Sequence, residues 1–179
     1  MKNILSIVIV LFVFMTFGCQ QQKEQKQQTS PMATPGTSPL QIEQLQAATR
    51  MAPKNAQAWI SLGDALMDSR RFGEAVEAYQ KGLELDPKNV HARVDMGTCY
   101  RGIGQFDKAV DEYQKAIKID PNFPNAHRNL AVVLSFDLHD TAQGIKEFNK
   151  YLEVAPNAPD AEAIRHTVRE LTAGKTAGK

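Results

Sequence analysis

Six side chains in this sequence have the chemistry of nucleophiles, proton carriers or soft metal ligands: Cys19, Cys99, His91, His127, His139 and His166. A thiol beside an imidazole would suit nucleophilic catalysis, and clustered His, Cys and carboxylate would suit a metal. The spacing supports neither. There is no close His pair with a carboxylate, no paired-cysteine motif and no phosphate-cradling glycine loop. His91 and His127 fall at similar but not identical positions of a repeated pattern and read as residues of helix surfaces. Cys99, beside Tyr100, reads as a small packed residue, although a reactive thiol or an intermolecular bridge is the alternative in an oxidising compartment. With Cys19 acylated, Cys99 is the one thiol left, so no intramolecular disulfide is expected. No catalytic residue, metal site or cofactor is expected, and the chain is read as not an enzyme. A cell-wall hydrolase is the enzymatic alternative, but no acid, base or nucleophile has a supporting neighbour of the right type.

Cys19 has a different chemistry available. Lys2 is followed by an apolar run from Ile4 to Phe17, interrupted at Ser6 and Thr16, that ends at Gly18-Cys19. The run is shorter than the roughly 17 to 25 residues of a membrane-crossing helix and reads as a secretory signal over residues 1–18. Thr16-Phe17-Gly18-Cys19 resembles the lipobox of bacterial lipoproteins; Gly18 and Cys19 fit it, while Thr16 and Phe17 depart from the usual Leu and small residue. That resemblance implies cleavage before Cys19, acylation of its thiol with palmitate among the chains, and attachment to a bacterial membrane. Several acyl chains are needed for a firm hold, since each buried methylene contributes about 0.8 kcal/mol. Gln20, where lipoproteins kept at the inner membrane carry Asp, favours the outer membrane, facing the periplasm. A plain signal peptide with an incidental cysteine is the other reading.

Residues 19–37 are mostly Gln, Lys, Ser, Thr, Pro and Gly and bury too little apolar surface to offset the entropy of ordering. They read as a tether with ends on the order of 25 Å apart as a coil and about 60 Å when extended.

The folded part must position whatever function remains, and its organisation is repetitive. Asp86-Pro87 returns as Asp120-Pro121, and Tyr79-Gln80-Lys81 as Tyr113-Gln114-Lys115, a period of 34 residues. A period of that size marks stacked supersecondary units. Trp59, Leu62, Gly63 and Leu66 fall on one helical stripe, and Gly63 and Gly97 mark places where a neighbouring helix comes close, since each costs about 1 kcal/mol of helix propensity. Pro87 and Pro121 stop the second helix of each pair. Gly102 and Gly104 shape a turn between helices. Ser38, Pro39 and Gln41 form a helix start for a half-repeat over 38–55. Full units follow at 56–89, 90–123 and 124–158, the last with one extra residue near Leu138 to Thr141, either a tolerated loop insertion or a contact bulge. A solvating helix is expected over 159–171, with Pro159 at its start and Asp160 and Glu162 in its first turn, and a disordered tail over 172–179.

Trp59, Leu62, Gly63, Leu66, Ala75, Tyr79 and Pro87 match the signature of the tetratricopeptide repeat (TPR), as do Met96, Gly97, Tyr100, Ala109, Tyr113, Ala116 and Pro121, where only Arg93 breaks the pattern. The third unit resembles it through His127, Leu130, Ala131, Leu134, Phe148 and Pro156, with Gly144 at the usual Ala. The resemblance implies an all-α protein, an α-α superhelix built as a right-handed solenoid of helical hairpins, that binds a protein or peptide in its concave groove. Groove positions would be Gln57, Ile60, Asp64, Met67 and Asp68; His91, Val94, Thr98 and Arg101; and Asn125, Arg128, Val132, Ser135 and Phe136. Acidic groups in the first unit and Arg101 with Arg128 further along would orient an extended segment, with Ile60, Val94, Val132 and Phe136 meeting its apolar residues. Some members hold chaperone C-terminal carboxylates in a clamp of Lys, Arg and Asn. Here the matching positions are Ile60, Asp64, Asp95, Asn125 and Asn129, so that ligand is not expected.

Charge agrees with a protein partner. The chain has 21 basic and 20 acidic residues, interleaved, which gives no phosphate-tracking stripe, and nucleic acid is not an expected partner. The reading is a membrane-tethered scaffold or adaptor in the bacterial envelope, for pilus, secretion, outer-membrane or cytochrome assembly. Self-association into a homo-oligomer is the alternative.

Overall fold

The computed structural model describes residues 38–177 and is helical throughout them. The signal segment, Cys19, the tether and the last two residues lie outside the described residues. The helices are α1 (Pro39–Met51), α2 (Ala56–Asp68), α3 (Phe72–Leu85), α4 (Val90–Gly102), α5 (Phe106–Ile119), α6 (Pro124–Val132), which continues into a π-helical segment Val133–Asp137, α7 (Thr141–Val154) and α8 (Ala161–Ala177). Each packs on the next, and the first helices of successive units, α2 on α4 and α4 on α6, also meet, which makes the stack an α-α superhelix. Among the described residues no helix is long and apolar enough to cross a membrane.

Helix starts follow the sequence. Ser38 Oγ accepts from Gln41 N–H (3.2 Å) with Pro39 at the first position, and Asn55 and Asn89 carboxamide oxygens accept from the Ala58 and Ala92 amides. Between the two helices of each unit the turn needs one residue in the left-handed region. It is Arg70 (φ 57°) in the first unit, Gly104 (φ 74°) in the second and His139 (φ 58°) in the third. His139 is therefore a turn residue.

Within a unit the two helices are held by a ring seated on a missing side chain. A Cβ at Gly63 would lie 2.7 Å from the Tyr79 ring, and one at Gly97 would lie 2.7 Å from the Tyr113 ring. Both tyrosines are fully buried, as is Phe148 at the equivalent place in the third unit. Cys99 is packed in the same core with no exposure.

A second contact ties each unit to the proline turn before it. The Trp59 indole donates to the Pro53 carbonyl (2.9 Å), the Arg93 guanidinium to that of Pro87 (2.9 Å) and the His127 imidazole to that of Pro121 (2.9 Å). Arg93, which breaks the sequence pattern, thus preserves the hydrogen bond of the tryptophan it replaces. The partner on the second helix changes with it. Ala78 in the first unit becomes Glu112, on Arg93 at 2.7 Å, and Glu147, on His127 at 2.7 Å. His127 is accordingly not a surface residue: it is 4% exposed, because both ring nitrogens find hydrogen-bond partners inside. His91 is exposed, edge-on to Phe123.

The extra residue of the third unit is absorbed before the turn. The Leu138 amide donates to the Val133 carbonyl five residues back (2.9 Å), so the helix widens by one residue and His139 regains the turn geometry of Arg70 and Gly104. Ser135 then lies against α7, where a Cβ at residue 144 would fall 1.9 Å from its Oγ. Glycine stands there because the serine fills the space.

The terminal helix differs from the expected one. It begins at Ala161, after a turn at Pro159-Asp160, and runs to Ala177, so residues 172–177 are helical rather than a disordered tail. Its apolar side, Ile164, Val168 and Leu171, packs with Phe148 and Tyr151, and the Thr172 hydroxyl donates back to the Val168 carbonyl (2.7 Å).

Two stability predictions follow from these contacts. Gly97→Ala gains up to about 1 kcal/mol of helix propensity but meets the Tyr113 ring, and overpacking costs about 1–3 kcal/mol, so urea denaturation should show net loss; Gly73→Ala, with open space around it, should stabilise. Arg93→Ala removes one of the two cations on buried Glu112, Lys115 remaining at 2.6 Å, and should cost about 1–3 kcal/mol, whereas Arg93→Trp with Glu112→Ala, the pair of the first unit, should fall within about 1 kcal/mol of the parent in the same titration.

Candidate functional site

The groove is floored by the first helices α2, α4 and α6. The positions expected to line it recur on them every third or fourth residue, offset from the core stripe. The predicted set divides by burial. Gln57, Asp68, His91, Arg101, Asn125 and Phe136 are exposed, and Asp64, Met67, Thr98, Arg128 and Val132 are half-buried. Ile60, Val94 and Ser135 are buried and present no apolar or polar surface to a partner. Ile60 is taken up by its own hairpin, where it fills the space over Gly82; Val94 joins the core, and Ser135 is pressed on Gly144. The groove's accessible apolar surface comes instead from Met67, Val132 and Phe136.

The buried rings reach the groove floor with their polar ends. Tyr79 donates its phenol to Asp64 (2.7 Å), and Tyr113 shares a hydrogen bond with Thr98 (3.2 Å). In the third unit both partners change together, to Phe148 and Val132. Burial pushes the Tyr113 phenol up to about 12, so it stays a neutral donor.

The first half of the groove is acidic. Burial raises the Asp64 carboxyl, with the Tyr79 hydrogen bond opposing and Asp68 adding to the rise. Asp95 on α4, which was read only as a clamp position, is pushed up to about 6 by burial and then by the nearby charge of Asp64, with His91 opposing. Three carboxylates and one imidazole therefore face one stretch of the groove. The repeat pattern could have located Asp95, which sits one residue beyond Val94 on the same helix.

The second half is not simply basic. Arg101 pairs with Asp137 (2.5 Å), which the π-helical segment carries, and Arg128 pairs with Asp160 (2.7 Å), which also accepts from Tyr151. The two arginines thus tie α4 to the third unit and α6 to the terminal helix. Hydrogen bonds from Tyr151 and Arg128 hold the Asp160 carboxyl below the usual carboxylate range. Between α4 and α6 lies a cavity of about 310 Å³ lined by Thr98, Arg101, Tyr113, Arg128, Asn129 and Val132. Among the described residues no cluster of His, Cys, Asp and Glu could hold a metal.

Comparison with known proteins gives one consistent picture. Family models described as "Tetratricopeptide repeat" match residues 42–90 and 78–111, and one described as "TPR repeat" matches residues 97–135. No curated protein sequence matches the chain. Among solved structures, the MamA protein is similar with a TM-score of 0.67 at 21% identity, over 74% of this chain and 72% of that one. The first TPR of Spaghetti (RPAP3), bound to the HSP90 peptide SRMEEVD, is similar at 0.62 and 20% identity, over 68% and 94%. The Arabidopsis OM64 TPR domain is similar at 0.61 and 17%, over 64% and 94%. At these identities the likeness is one of fold.

The acidic half makes stability depend on pH. Asp95 ionises near the ordinary carboxylate value when unfolded and near about 6 in the fold, so the native state loses stability as pH rises from about 4 to about 6. Asp95→Asn should therefore stabilise the protein at pH 7 and have little effect at pH 4, measured by urea denaturation, and carboxyl ¹³C NMR should show the delayed titration directly.

Proposed function

We propose that this chain, which carries tetratricopeptide repeats between residues 42 and 135, is a membrane-tethered scaffold that holds a partner polypeptide in its groove within the bacterial envelope. The fold is that of protein-interaction modules, and the observation that carries the reading is the groove itself: an acidic stretch of Asp64, Asp68 and Asp95 followed by a donor-lined cavity at Arg101 and Arg128. Such an arrangement orients an extended segment by charge, its basic residues over the first unit, while Met67 and Val132 meet its apolar side chains. The similar RPAP3 domain holds a peptide, which supports a peptide as the kind of partner. The clamp positions here, with Ile60 buried and Asp64 and Asp95 acidic, repel a terminal carboxylate at that place, so the partner is not bound as a chaperone tail in that clamp.

Acylation of Cys19 would hold the scaffold at the membrane, with the Gln-rich segment as tether and the outer membrane's periplasmic face as the site of assembly work. Assembly of pilus, secretion, outer-membrane or cytochrome machinery is the setting proposed for it.

The test is photo-crosslinking in intact cells with a reactive residue at Met67 in the groove or at Glu77 on the outer face. A partner band from Met67 but not Glu77, lost in Asp68→Lys, is expected; equal bands from both sites would remove the groove from the account. Cys19→Ser should shift the chain from the membrane to the soluble fraction, and unchanged pelleting would remove the lipid anchor.

A further inference from the structure

Helix α1 has the register of a second helix. Its closing turn Ala52-Pro53-Lys54-Asn55 aligns with Asp86-Pro87-Lys88-Asn89, yet among the described residues no first helix precedes it. Ile42 and Thr49 are buried, and the helix packs on α2. The side away from α2 is open. Leu40 is 63% exposed and Met51 87%. With Gln44 and Ala47 they fall at i, i+4, i+7 and i+11, one stripe along the helix. The stripe carries no charge, which sets α1 apart from the other second helices. Where it has Leu40, they have Glu74, Lys108 and Gln143, and where it has Ala47, they have Lys81, Lys115 and Lys150. Gln44 holds the place from which Glu112 and Glu147 reach the first helix of their own unit. At the far end of the stack, by contrast, α8 exposes His166, Arg169 and Glu170.

We propose that this stripe is the contact between two copies of the chain, packed antiparallel about a two-fold axis. A second copy is selected because the face complements itself. The stripe is symmetric end to end: in an antiparallel pair Leu40 lies opposite Met51 of the other copy, and Gln44 opposite Ala47, the larger side chain over the smaller. The two charged residues of α1, Glu43 and Arg50, are exposed and unpaired among the described residues, and by helical angle both flank the stripe on the same side. A two-fold axis perpendicular to both helices keeps that side common to the pair. It brings Glu43 to within two residues, about 3 Å of helix rise, of the other copy's Arg50. Two opposite-charge pairs then close one flank, while the uncharged stripe meets its own counterpart without repulsion. One helix pair is a small interface, which makes the dimer reversible. Being isologous it closes on itself, and it presents two grooves instead of a filament. The contact lies apart from the groove, so the two readings can fail separately.

Cross-linking of two differently tagged full-length copies tests the contact. Both carry Cys19→Ser, so that buried Cys99 is the remaining native thiol. One also carries Gln44→Cys and the other Ala47→Cys, and the co-expressed pair is treated with a short membrane-permeant bismaleimide. A band bearing both tags is expected, and a pair carrying Lys108→Cys instead should give none. Met51→Glu in both copies should remove the band. Glu43→Arg in both should lower it at least about fivefold, the scale of exposed ion pairs. With Glu43→Arg in one copy and Arg50→Glu in the other, opposite charges face each other again and the band should return. That return is the outcome a misfolded variant, a foreign helix or a lipid surface on the stripe would not give. No band from the parent pair, a band indifferent to Glu43→Arg, or one that the mixed pair fails to restore would overturn the dimer and leave the groove reading intact.

Discussion

The architecture depends on an aromatic ring lying where a side chain is missing. Gly63 and Gly97 let the rings of Tyr79 and Tyr113 come against the backbone of the preceding helix, at a distance no Cβ would permit. Two antiparallel helices that approach this closely present a narrow core, and the stripe next to it becomes the groove floor. The same ring also equips that floor, because its hydroxyl emerges at Asp64 in the first unit and Thr98 in the second. Where the ring has no hydroxyl, at Phe148, the floor residue is Val132. The chemistry of the groove is in this sense set from inside the hairpin, by whether the buried ring can donate a proton to its surface.

The junction between units follows a similar economy of function. An N–H from the fourth residue of each unit reaches the carbonyl of the preceding proline, and indole, guanidinium and imidazole all supply it. The guanidinium brings a buried charge that Glu112 balances from the second helix, and the imidazole brings a second ring nitrogen that pairs with Glu147. The indole needs no such partner, and Ala78 stands opposite. Even so, Arg93 retains a buried Nε without an acceptor, which shows the guanidinium to be the poorer fit in a position shaped for an indole. The π-helical segment is a third adjustment of this kind. It takes in one surplus residue, returns the chain to the turn at His139, and in doing so carries Asp137 to Arg101 and Ser135 to Gly144.

The helical hairpins and the glycine contacts were legible because each follows from local spacing: periodicity, caps, and prolines that end a ladder. The paired exchanges were also present in the sequence, since Trp59 with Ala78 becomes Arg93 with Glu112, and Tyr113 with Thr98 becomes Phe148 with Val132, but they are visible only when both helices of a unit are aligned on the same ruler. The misread residues share one cause. His127, Ile60, Val94 and Ser135 were placed by helical angle alone, and burial is decided by what the neighbouring helix brings: Glu147 and the Pro121 carbonyl for the histidine, Gly82 for Ile60, the surrounding core for Val94, and Gly144 for the serine. The terminal helix was cut short at Leu171, the last residue of its apolar side, whereas the helix runs on to Ala177 past the residues that pack with Phe148 and Tyr151.

By itself the sequence determined the repeat length, the hairpin unit and the all-helical stack, because these depend on contacts within about 34 residues that recur in each unit. Tertiary structure alone decided which of the expected groove positions are buried and how the two arginines are paired. Arg101 and Arg128 meet Asp137 and Asp160 across separations of 36 and 32 residues, at the ends of other elements, and the stacking of successive units brings them together. Electrostatic pairing depends on distance in space, which periodicity along a single helix does not record.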